Sequence, residues 1–139
     1  MKRIYILLFF GLLSTSSIHA LTDLLGNWEL YKVVKVTKVS SDTQNVSNTD
    51  ALYVKYYFSY NNTFSSFHQK EKEDATGKWG FDKKENSIKI RNHTFAKSKT
   101  GLGDYNIKLT QLGKTIFVQV IADKKGKPLE DYIYRKIQG

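Results

Sequence analysis

Few residues in this chain can do acid–base or metal chemistry. Past position 20 there are two histidines, His68 and His93, and the first is followed closely by Glu71, Glu73 and Asp74. Imidazole and carboxylate together can hold a divalent metal, but only when three or four such groups converge on one point. Strand alternation sets His68 and Glu71 on opposite faces, and no His-x-His pair occurs. Both histidines therefore read as surface or loop residues, and no metal and no cofactor is expected. The chain contains no Cys, which removes thiolate ligands, Cys nucleophiles and disulfides together. No Ser–His–Asp order and no paired-carboxylate spacing stands out. The glycines of "TGLGD" at 100–104 open no helix, so they read as a loop rather than a phosphate cradle. The expectation is a protein that binds rather than one that catalyses.

Binding chemistry is better supplied. Nine Tyr and eight Phe provide rings, and a tyrosine combines an apolar body with a polar tip. The formal charge is +9. Lys2 and Arg3 belong to a segment with the layout of a signal peptide: a charged start, the apolar run "IYILLFFGLL", then "STSSIHA" ending in a small residue. That run is too short to span a bilayer, and cleavage is expected after Ala20. Export to a bacterial periplasm or medium fits a domain without disulfides. The mature part, 21–139, keeps twenty basic against thirteen acidic residues, a net charge of +7. Such a surface favours anionic partners, although scattered lysines mostly confer solubility. The mixture "YVKYYFSYNNTF" resembles a stacking platform for single-stranded nucleic acid, but export argues against that partner, and none is expected.

These side chains need elements to hold them. Proline occurs once, at Pro128, and helical periodicity is absent beyond the first segment. Short runs of Val, Ile, Tyr and Phe alternate with polar residues instead, divided by Asn, Asp, Gly and Lys clusters, which is the pattern of strands and hairpins. Eight runs are predicted, near 27–38, 51–60, 63–71, 76–82, 87–92, 105–111, 114–122 and 130–137. Two connections are longer: a polar one over 39–51, and "HTFAKSKTGLG" at 93–103. Eight antiparallel strands with one apolar face leave two open edges unless the sheet closes. A single all-β domain is therefore expected, an eight-stranded antiparallel up-and-down β-barrel.

Gly26-Asn27-Trp28 at the head of the first strand resembles the lipocalin superfamily, and in particular small exported bacterial lipocalin-like domains. "NTF" at 62–64, Gly77-Lys78-Trp79, Ile88 and "YNIKLTQL" at 105–112 extend the resemblance over the mature chain. The resemblance implies a barrel closed at one end by Gly26 and Trp28, with a basic residue of the last strand over the indole. In "DYIYRKI" Arg135 or Lys136 is placed for that role, and Arg135 is taken as the closure residue. The resemblance also implies a lid at 39–51.

Alternation then assigns an inner wall. Tyr56 and Phe58 share a face with Leu52, Val54 and Tyr60; Trp79, Tyr105 and Tyr134 point the same way. Lys32 shares parity with Trp28, so either it faces inward, where it would meet a ligand carboxylate or phosphate, or a bulge shifts the phase. Lys32, Tyr56, Phe58, Trp79, Tyr105 and Tyr134 are thus the candidate ligand-binding residues. The leading expectation is an exported carrier holding a small hydrophobic or amphipathic ligand, anionic ones included, in the barrel mouth. The alternative is a protein-binding module, an inhibitor or immunity-type partner of an envelope enzyme or toxin, working from the exterior and loops. Lumen volume discriminates: rings that simply fill a small barrel favour the second.

Overall fold

Period-two alternation is realised over most of the chain. The structure, a computed structural model, describes residues 22–36 and 41–137; the expected signal peptide and its cleavage site lie outside them. The strands are β1 (Gly26–Val36), β2 (Ser41–Asn45), β3 (Val54–Phe58), β4 (Thr63–His68), β5 (Glu73–Asp82), β6 (Ser87–Phe95), β7 (Gly101–Leu112), β8 (Ile116–Ala122) and β9 (Pro128–Ile137). Consecutive strands from β3 to β9 pair antiparallel, β1 pairs with β3, and β1 also pairs with β9. That last ladder closes eight strands into a barrel and removes the open edges that a flat meander would leave.

The polar 39–51 connection departs from expectation. Part of it is strand β2, which pairs antiparallel with the second half of β1, from Lys32↔Asn45 to Val36↔Ser41. β3 takes the same edge of β1 lower down, from Gly26↔Phe58 to Glu29↔Lys55. Backbone pairing outweighs weak strand propensity here, because β1 would otherwise leave half of one edge unpaired. The 93–103 connection likewise proves to be mostly strand: β6 runs to Phe95 and β7 starts at Gly101.

The closed end is built around Trp28, which is fully buried. A helical turn at 22–24 lies across it, and the indole Nε1 donates to the Leu24 carbonyl at 2.9 Å. Gly26 sits at φ 113°, a conformation costly for any residue with a Cβ. It brings the chain from that turn into β1. Lys136 lies 5.0 Å from the Trp28 ring centroid, and its Nζ donates to the Asp23 carbonyl at 2.8 Å. The cation over the indole is therefore Lys136, not Arg135. Parity is the reason: Tyr134 points inward, so Lys136 does too, and Arg135 faces outward to pair with Glu29 at 2.9 Å.

Candidate functional site

From Trp28 toward the opposite end, the interior is a column of rings. Trp28 meets Phe117 at 4.8 Å between centroids, Phe117 stacks on Tyr134 at 4.5 Å, and Tyr134 stacks on Tyr56 at 5.2 Å. Phe64 packs against both Tyr56 and Phe58, and Phe58 packs edge-on to Trp79. Little of the surface of these rings is accessible. Tyr56 keeps 7%, Phe58 1%, Trp79 6% and Tyr134 2%. These four expected ligand contacts are brought together, but against one another. Burial, foremost, raises the pKa of Tyr56 and Tyr134 above the ordinary tyrosine value; Tyr134 opposes the rise at Tyr56, while Tyr56 adds to the rise at Tyr134. Tyr134 donates to Gln119 Oε1 at 2.9 Å, so its polar tip is satisfied.

Lys32 takes the bulge alternative. In the β1–β9 ladder Leu30 opposes Tyr134 and Lys32 opposes Ile133, which leaves Tyr31 as the extra residue. Phase shifts there, so Val33 rather than Lys32 joins Leu30 in the core. Lys32 Nζ lies 5.5 Å from the Tyr31 ring centroid, and Arg135 approaches the same ring at 5.0 Å.

Above the rings, a polar cluster occupies the half of the interior far from Trp28. Ser66 Oγ lies 2.7 Å from His68 Nε2 and 2.8 Å from His93 Nε2, and His93 Nδ1 lies 3.0 Å from the Tyr105 hydroxyl. A serine can give one proton and accept others, so it bridges two neutral imidazoles without either carrying charge. Burial, and after it neighbouring His68, together lower the His93 pKa to about 4. The His68 pKa is also lowered, chiefly by burial, against the opposing pull of Glu71 and Asp74. Burial similarly raises the Tyr105 hydroxyl pKa. The cluster is self-satisfied, and among the described residues no set of three acidic or imidazole groups converges as a metal site.

His93 is buried and His68 half-buried, neither the surface or loop residue that the sequence predicts. For His68 the signal was present, since it shares parity with Phe64 and Ser66 on β4. For His93 it was hidden. Asn92 and His93 together oppose Gly77, with Asn92 at φ 57°. This bulge turns His93 inward, where it is 1% exposed. Asn is among the few non-Gly residues that tolerate that conformation, and its N–H is held by Asp104 Oδ1 at 2.9 Å. A Cβ on Gly77 would meet the Arg91 carbonyl oxygen at 2.8 Å. The glycine of the second Gly-x-Trp thus permits β5 and β6 to approach.

Open concave space lies on the outer wall. One hollow, about 480 Å³, is lined by Lys55, Tyr57, Ser65, Phe67, Gln69 and Asp74, with Asn27, Asn48 and Tyr53 at its side. A second, about 640 Å³, is lined by Tyr57, Thr63, Ser65, Thr76, Lys78, Asn92 and Thr94. Tyr57 and Ser65 belong to both. The registers place Tyr57, Ser65, Thr76 and Thr94 in one cross-strand row over β3, β4, β5 and β6.

Closure, strand order and the Trp28 plug together define an all-β, eight-stranded antiparallel barrel, consistent with a lipocalin-like fold. No family model matches the chain, and neither does any curated protein or solved structure.

Proposed function

We propose that the chain is an exported lipocalin-like binding protein, without catalytic activity, that engages its partner on the outer wall of β3 to β6. The observation that supports this reading is the ring column. Eight strands enclose room for side chains or for one small ligand, not for both. With Tyr56, Phe58, Trp79 and Tyr134 packed on one another, a luminal carrier would have to expel its own core before loading. The outer wall instead offers two adjoining hollows of ligand size, at no cost in core packing. The Ser66–His68–His93–Tyr105 cluster then serves the fold, holding polar groups in register within the barrel.

An anilinonaphthalene sulfonate titration of the mature protein tests this. No saturable fluorescence gain and no shift of tryptophan emission is expected, because Trp28 and Trp79 are already buried. Saturable probe uptake, lost on substituting Tyr56 or Tyr134, would return the luminal carrier to first place.

A further inference from the structure

Resting on that outer-wall reading, we propose that the paired hollows form a site for a short oligosaccharide, uncharged or weakly acidic. The argument is the chemistry of the lining. Neither hollow contains a Val, Leu, Ile or Met side chain. Small-molecule pockets are predominantly apolar, with few polar groups, and protein interfaces centre on a charge-depleted apolar core. The second hollow sets its threonine hydroxyls on mostly apolar surface, but the first has the opposite composition, rich in hydroxyls and side-chain amides. Each can both donate and accept, the pattern that a polyhydroxylated partner can answer at many points.

At the junction stands Tyr57, an aromatic ring 42% exposed. It opposes Ser65 across the β3–β4 ladder and borders both hollows. A ring flanked by hydroxyls offers an apolar face for the C–H side of a sugar, with hydrogen-bonding groups at its rim. Because Tyr57 is shared, the two hollows form one track rather than two separate sites, and the track suits a chain of linked rings. Lys55 and Asp74 border the first hollow and Lys78 the second. This near-balance of charge fits a neutral chain or one bearing a few carboxylates.

The test is an immobilised glycan array probed with the mature protein, then calorimetry on the best oligosaccharide with two variants. Tyr57→Ala should weaken binding about tenfold or more, the loss of ~1.4 kcal/mol or more. Tyr60→Ala removes a ring that is 85% exposed and lines neither hollow, and it should leave binding unchanged. Both positions are exposed, so neither substitution threatens folding. Amide shifts on adding the sugar should centre on Tyr57, Ser65 and Thr76. No binding across the array, or binding indifferent to Tyr57→Ala, overturns the proposal. Capture of a sequence-specific ligand on an immobilised peptide array, with the same amides shifting, would overturn the sugar class while sparing the outer-wall reading. Saturable entry of the naphthalene probe into the lumen would overturn both.

Discussion

His93 is held well away from its ordinary chemistry, and the departure has a sign. Its pKa falls to about 4 in the fold, against about 6.5 in an unfolded chain. Above pH 6.5 neither state carries the proton, and stability from this source is fully present. As the pH drops from about 6.5 to 4, the unfolded chain takes up a proton that the folded chain refuses, so stability falls. The whole loss is on the order of 3 kcal/mol, and His68, also lowered, acts in the same direction. His93→Gln cannot titrate, and urea denaturation at stepped pH should give it a shallower slope across this window. An unchanged slope would show that His93 titrates normally. A second residue-scale prediction concerns the closed end. Trp28→Ala should cost about 3–5 kcal/mol as a large cavity in a packed core. Lys136→Ala should cost about 1–2 kcal/mol through its lost ring contact and packing. Arg135→Ala, with an exposed ion pair, should cost less than about 1 kcal/mol. Equal losses for Arg135 and Lys136 in the same denaturation series would contradict the assignment of Lys136 to the indole.

At the scale of the element, simple alternation succeeds on regular strands and fails at bulges. On β3 and β9 it placed Tyr56, Phe58 and Tyr134 inward from sequence alone, and all three are buried there. It carried the closed barrel too, since turn clusters and strand count are local properties of the chain. The bulges at Tyr31 and Asn92 insert one residue each and reverse every later side chain. Lys32 and His93 lie immediately beyond them, which is why neither orientation followed from residue type. β2 was illegible for another reason: its polar sequence is strand only because β1 offers an unpaired edge. The outer hollows were equally hidden, because they arise from registers between four strands and have no motif. Gly77 ties these features together. Gly77→Ala would push a methyl onto the β6 backbone, and overpacking of this kind costs roughly 1–3 kcal/mol. Gly80→Ala, on the same strand with open space at its Cβ, should be neutral or stabilising by up to about 1 kcal/mol. Thermal melts of the two variants check the contrast, and parity between them would mean that β5 and β6 are not in close approach.

For the whole molecule, the filled lumen and the sculpted exterior are two consequences of one size limit. A barrel of eight strands either packs its interior with its own side chains or reserves that space for a guest. Here Trp28, Phe117, Tyr134, Tyr56, Phe64 and Phe58 take the space, and the proposed recognition surface is the wall. The most direct measurement of that claim is a crystal of the mature protein pressurised with xenon, which enters dry apolar cavities large enough to hold it. The prediction is no xenon density inside the barrel between Trp28 and Tyr105. A well-occupied xenon site bounded by Tyr56, Phe64 and Tyr134 would contradict it, and would mean that the lumen has room for a ligand after all.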